Sequence, residues 1–136
     1  MGTAFSKPTA PAIAHIALWT RDIEAAAGFW HNYFDAEVGD LYESRRRPGF
    51  VSRFLTLPGG GARVELMSLT GLEDAPPWAV GWDHVAVSLG EQAAVDGLAR
   101  RCAADGLLVS EPRMTGDGYY EAVVAMPDGT RIEVTA

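Results

Sequence analysis

The chain repeats itself, and that repeat limits what it can fold into. The run Gly60-Gly61-Ala62-Arg63-Val64-Glu65-Leu66 is matched by Asp128-Gly129-Thr130-Arg131-Ile132-Glu133-Val134 at the other end. Ahead of each lies the same succession of patterns. Residues 13–18 alternate as a strand, with Ile16 and Leu18 on one face and His15 and Ala17 on the other. Ile23, Ala26, Ala27, Trp30 and Phe34 then fall at spacings of three and four, the single stripe of an amphipathic helix that Thr20 or Asp22 can cap. Strand-like runs follow over 37–44, 50–57 and 62–69, divided by Pro48-Gly49 and Pro58-Gly59-Gly60-Gly61. The second copy alternates over 83–89, and Ser88 with Glu91 has the spacing of a capping box. Val95, Leu98, Ala99 and Cys102 stripe its helix, which Gly106 stops. Strands are expected over 107–114, 119–126 and 130–135. The order is βαβββ twice, an α+β architecture. It reads as a flexible lead-in over 1–11, a first module over 12–70, a linker over 71–81 and a second module over 82–136, the modules sharing one core.

Each module opens with a histidine in its first strand and closes with a glutamate in its last, at almost the same offset: His15 with Glu65, and His84 with Glu133. Parity places all four on one kind of surface. Each is flanked by aliphatic residues that belong on the helix side, so each polar side chain faces the other way. A glutamate centred in a short apolar strand needs a partner, because an unpaired buried carboxylate is costly. Two imidazoles and two carboxylates on one face suit a divalent first-row cation, with Ni²⁺, Zn²⁺ or Co²⁺ favoured and Mn²⁺ or Fe²⁺ also compatible. An octahedral site with four protein ligands keeps about two positions for water or substrate. Trp19, Phe54, Met67, Tyr119 and Glu121 share the parity of that face and are candidates for a substrate pocket, or for simple filling of a barrel. His31 is read as solvent-facing on the first helix and Cys102 as a buried, inert thiol.

Composition narrows the partners. A formal charge of −7 disfavours nucleic acid. Arg45-Arg46-Arg47 is the one basic cluster, read as an exposed loop or as a contact for an anionic substrate group. With one cysteine no internal disulfide can form. No stretch reaches the length of a membrane span, and residues 1–11 lack an apolar signal-peptide segment, so a cytoplasmic location is expected.

These residues resemble the vicinal oxygen chelate superfamily, also called the glyoxalase/bleomycin-resistance/dioxygenase family. The resemblance runs from Ile13 to Thr135 and rests on His15-Ile16-Ala17-Leu18, Ala62-Arg63-Val64-Glu65-Leu66, Asp83-His84-Val85-Ala86-Val87 and Pro127-Asp128-Gly129-Thr130-Arg131-Ile132-Glu133. It implies two tandem βαβββ modules forming a cupped, barrel-like mixed sheet around the metal. It also implies a homodimer in which His15 and Glu65 of one chain meet His84 and Glu133 of the other, or else pairing within one chain.

The His, Glu, His, Glu set looks most like bacterial glyoxalase I, the lactoylglutathione lyase. That likeness implies proton transfer on a small substrate, such as a thiol adduct, chelated through two adjacent oxygens. Glu133 is the first choice of base and Glu65 the second. Epimerase, thiol transferase and dioxygenase chemistry on the same scaffold is the alternative, as is a drug- or metabolite-binding protein without catalysis. Trp19 stands where those lyases often carry an arginine for glutathione, and Leu69 where an asparagine is common, so two polar handles for that thiol are missing.

Overall fold

Asp22 starts the first helix. Its carboxylate accepts from the Ala25 N–H at 3.0 Å while its own backbone stays extended, satisfying one of the amide donors that a helix start leaves without a partner. This cap turns the chain from β1 (His15–Trp19) into α1 (Ile23–Phe34). At the far end Asp35 takes a left-handed conformation (φ 52°) and donates its N–H to the Trp30 carbonyl, which stops α1. The computed structural model describes residues 10–76 and 78–136. Residues 1–9 of the expected lead-in and Pro77 of the expected linker lie outside the described residues.

The run expected over 37–44 divides into β2 (Glu37–Val38) and β3 (Tyr42–Glu43), both paired with β4 (Val51–Thr56). Gly39 marks the break. Its N–H donates to the Phe54 carbonyl at 2.8 Å, and a Cβ there would lie 3.0 Å from the same oxygen. A side chain at this position would press on that oxygen, so glycine eases the close approach of the two backbones. β5 (Arg63–Ser68) completes the first sheet, in the order β1-β5-β4-β2 with β3 also on β4.

The second module repeats the plan with β6 (Val85–Ser88), α2 (Gln92–Ala104), β7 (Leu108–Met114), β8 (Tyr120–Ala125) and β9 (Arg131–Thr135), ordered β6-β9-β8-β7. The expected capping box does not form. Ser88 is still in register with Thr135 inside the sheet, and Glu91 takes the N-cap position without a side-chain bond. Strand pairing claims Ser88 before the helix begins. Gly106 (φ 74°) ends the helical turn as expected, and the Leu107 N–H returns to the Cys102 carbonyl at 2.8 Å.

In each module the helix crosses over so that first and last strands run parallel, β1 beside β5 and β6 beside β9. The helices cover one face of each sheet, burying Trp30, Leu55, Val64 and Leu66 in the first module and Val95, Cys102, Val124, Ile132 and Val134 in the second. The two sheets share no strand pairing among the described residues. The modules meet through the C-terminal ends of their helices. There the Arg101 guanidinium donates to the Asn32 carbonyl at 2.6 Å and lies 5.1 Å from the centre of the Tyr33 ring, whose hydroxyl bonds Asp105. Beside that contact an apolar cavity of about 630 Å³ opens between the modules, lined by Ile16, Leu57, Val64, Val85 and Val87 among others. Among the described residues no helix is long and apolar enough to cross a membrane.

Candidate metal centre

The faces left uncovered by the helices carry the ionisable residues. In the first sheet His15 is in register with Arg63, and Ala17 with Glu65. In the second, Ala86 is in register with Glu133, which sets His84, one residue before β6, beside Arg131. The two sheets therefore hold the same residues at the same relative positions. Residues directly opposite in a sheet share a face, so Phe54, opposite Glu65, and Val123, opposite Glu133, line these faces too.

Each histidine meets its own glutamate. His15 Nε2 lies 3.7 Å from Glu65 Oε1, and His84 Nε2 lies 2.9 Å from Glu133 Oε2. Both carboxylates are mostly covered, with side chains 17% exposed, while the imidazoles remain 44% and 38% exposed and accessible from one side. The chain holds these as two separate pairs. Among the described residues, no three His, Cys, Asp or Glu side chains are arranged to hold a metal ion. The chain thus presents two separate His–Glu pairs, each half of the expected donor set, and the four expected ligands do not converge among the described residues.

The second half-site has supporting residues that parity alone does not reveal. His84 Nδ1 bonds Asp83 Oδ2 at 2.6 Å, which fixes the ring and directs Nε2 at Glu133, as an outer carboxylate commonly orients a metal-binding imidazole. Asp83 belongs by parity to the opposite face, so only its adjacency to His84 could have signalled this role. The same bond raises the His84 pKa, burial opposes it, and the carboxylates of Glu133, Asp83 and Glu121 add to the rise.

Glu121 reaches Glu133 from β8. A proton shared with Glu133, then burial, then the charges of Glu133 and Asp117 push the Glu121 carboxyl up to about 6, against the opposing pull of Arg113. Repulsion from the Glu133 carboxylate is part of what makes Glu121 keep its proton longer than usual. The donor set of each half-site, imidazole with carboxylate, is of the kind that binds a divalent first-row metal.

A pH effect on stability follows from Glu121. An acid whose native pKa is raised holds its proton more tightly when folded. It therefore stabilises the fold below its ordinary value of 4.5 and loses that contribution as pH rises through about 6. In thermal melts with a chelator present, Glu121→Gln is expected to gain on the wild type steadily from pH 4.5 to 7. A constant difference across that range would remove the carboxyl pair from the account.

The other expected residues are placed as follows. Phe54 stands edge-on to the His15 ring, with centroids 5.3 Å apart, and Met67 is half-buried two residues after Glu65. Trp19 is 43% exposed and meets Phe50 edge-on at 6.1 Å. Tyr119 lies just before β8 and is exposed. His31 is exposed as expected, its Nδ1 at 3.1 Å from the Ala36 carbonyl oxygen. Cys102 is buried, and burial pushes its thiol up to about 11, so it stays protonated and unreactive. Arg63 has a contact that the sequence does not announce: its guanidinium lies 4.2 Å from the centre of the Phe54 ring.

The sequence profile of the Glyoxalase/Bleomycin resistance protein/Dioxygenase superfamily matches residues 12–134. An uncharacterised protein of Pseudomonas aeruginosa, PA2024, is 31% identical over 105 residues, which cover 76% of this chain and 71% of that one. Among solved structures, the fold is similar to a lactoylglutathione lyase from Agrobacterium tumefaciens, with a TM-score of 0.64, 23% identity, and 96% of this chain and 95% of that one covered. It is also similar to a point mutant of the fosfomycin resistance protein FosX from Listeria monocytogenes, complexed with Mn(II) and 1S,2S-dihydroxypropylphosphonic acid. There the TM-score is 0.70 and the identity 19%, over 94% of each chain.

Proposed function

The chain belongs to the glyoxalase/bleomycin resistance protein/dioxygenase superfamily, and from that membership we propose that it is a metal-dependent, glyoxalase I-like lyase whose sites are completed by a second copy of itself. The observation that carries the reading is the pair of half-sites in equal register, each with one imidazole and one carboxylate, that a single chain leaves apart. Joining His15 and Glu65 of one copy to His84 and Glu133 of another gives four donors, and the twofold symmetry of a dimer makes two such sites. The Mn(II) in the similar FosX structure supports a divalent cation as the ligand.

A cation held by these four residues supplies Lewis-acid polarisation to two adjacent oxygens of a small substrate. The chain's own residues do the rest. Glu133 takes a proton from one substrate carbon and returns it to the next, the work of a general base close to the reacting atom. Asp83 keeps the His84 ring fixed while this happens, and Glu121, on the same face of the sheet as Glu133, provides a second carboxyl for relaying it. Phe54, Met67 and Trp19 form an apolar wall that keeps bulk water from the transferred proton.

Mixing two disabled chains tests the assembly. Glu65→Ala spoils one module and Glu133→Ala the other, so each variant dimer has two broken sites. A mixed dimer has one broken site and one that is whole. After unfolding and refolding together, equal amounts are expected to recover roughly a quarter of the wild-type metal-binding capacity, since about half of the dimers are mixed and each of those has one good site of two. Recovery no greater than that of the separate variants would rule out sites shared between copies.

A further inference from the structure

We propose that Arg63 and Arg131 are the anion-recognition pair of the assembled site, and that the acids it takes are small 2-hydroxy carboxylic acids. The inference rests on the assembly proposed above and adds to it the chemical class of the ligand. Both arginines occupy the same place in the repeat, two residues before the glutamate on the last strand of their module and therefore on the same face. Each lies beside the histidine of its half-site: Arg63 is in register with His15, and Arg131 with His84 by extension of the β6–β9 pairing.

Arg63 is held in position. Its guanidinium rests on the Phe54 ring at 4.2 Å, and the same ring meets His15 edge-on at 5.3 Å. One aromatic side chain thus sets both the imidazole and the cation, at little further entropic cost when a ligand arrives. Arg21 and Arg53 are tied to Asp74 and Glu24, whereas neither Arg63 nor Arg131 forms an ion pair among the described residues. In a chain with a net charge of −7, two uncommitted guanidiniums beside the two His–Glu pairs point to an anion from outside.

Charge balance gives the same answer. Two carboxylate ligands neutralise a divalent cation, so the centre by itself has little attraction for a negative substrate. The arginines supply it, and the planar guanidinium matches a carboxylate better than an ammonium group does. A 2-hydroxy acid offers two adjacent oxygens for chelation, a further carboxylate oxygen for a guanidinium, and a hydrogen on the carbon between them for Glu133 to take.

The test uses full-length protein loaded with Co²⁺, whose visible absorption reports on its ligands, titrated with lactate and with its neutral counterpart lactamide. Arg63→Ala and Arg131→Ala are each expected to weaken lactate about ten-fold, the loss of one charge-assisted hydrogen bond, with lactamide affinity and Co²⁺ stoichiometry unchanged. Phe54→Leu, which frees the guanidinium without removing it, should weaken lactate about three-fold, and Arg63→Lys should recover only part of the alanine loss. Unaltered lactate affinity in both alanine variants, with Co²⁺ still bound, overturns the pair. If the wild type takes up no Co²⁺, the proposed metal site fails instead. The arginines are then judged on the metal-free protein, where the absence of lactate-dependent shifts in their side-chain Nε–H resonances overturns the inference and selective shifts support it.

Discussion

Replacing His84 or Glu133 by alanine is expected to abolish metal uptake and to lower any metal-dependent turnover by about a thousand-fold or more, about 4 kcal/mol of transition-state stabilisation. The size of the effect reflects how few donors there are. Each half-site contributes two, so one deletion leaves three ligands across an assembled site and, for Glu133, removes the proton carrier as well. His15→Ala and Glu65→Ala should lose metal similarly. Asp83→Asn should retain it with weaker affinity, because Asp83 orients His84 without being one of the four donors. Its pH profile is diagnostic. Asp83 raises the His84 pKa, and a proton competes with a metal for Nε2, so wild-type affinity should fall as pH drops through the raised value. In Asp83→Asn that fall should move to lower pH. Metal analysis after gel filtration and titrations at several pH values provide the readouts, and a Glu133→Ala protein that retains a full metal complement would sink the ligand assignment.

The largest expected effect on stability lies elsewhere, at Trp30. This side chain has no exposed surface, packs 5.0 Å from Phe34 and 6.2 Å from Phe29 between ring centres, and leaves its indole N–H without a partner among the described residues. Trp30→Ala removes most of that contact and opens a cavity at a cost of about 3–5 kcal/mol. A domain of this size has a total stability of about 5–15 kcal/mol, so the variant should unfold at much lower urea or not fold at all. Trp30→Phe should be far milder. It keeps a ring in the stack and eliminates a buried donor that is desolvated without gaining a hydrogen bond. Urea unfolding followed by circular dichroism distinguishes the two, and an alanine variant within about 1 kcal/mol of wild type would show that the site collapses around the lost ring.

Much of this architecture was legible in the sequence because it obeys two simple periods. Spacings of three and four marked both helices, and α1 begins and ends where its stripe and Asp22 indicated. Alternation placed His15, Glu65, His84 and Glu133 on the faces away from the helices, where the structure has them. What escaped depends on contacts distant in sequence or on competition between neighbours. Gly39 interrupts a strand because the Phe54 carbonyl approaches its Cα, and nothing near Gly39 signals that approach. Ser88 has the spacing of a cap but is already committed to pairing with β9. The reach of Glu121 to Glu133 and the stacking of Arg63 on Phe54 depend on side-chain length as well as parity. Periodicity also fixes which face of a module is polar without fixing how two modules sit, so the spacing of the four matched residues alone does not tell whether one chain keeps them in two pairs.

The equal register of the two sheets has a stereochemical side. Trp19, Phe54 and Met67 in the first module correspond in place to Ser88, Val123 and Thr135 in the second, while Ser52 stands where the second has Glu121. The duplicated frame is nearly symmetric, but its lining is not. A flat carbon centre lying between two such faces would meet Trp19, Phe54 and Met67 around a single carboxylate, Glu65, on one side and the two carboxyl groups of Glu121 and Glu133 on the other. A proton delivered there would arrive from the acidic side, and a frame built from a duplication would yield a product of one handedness.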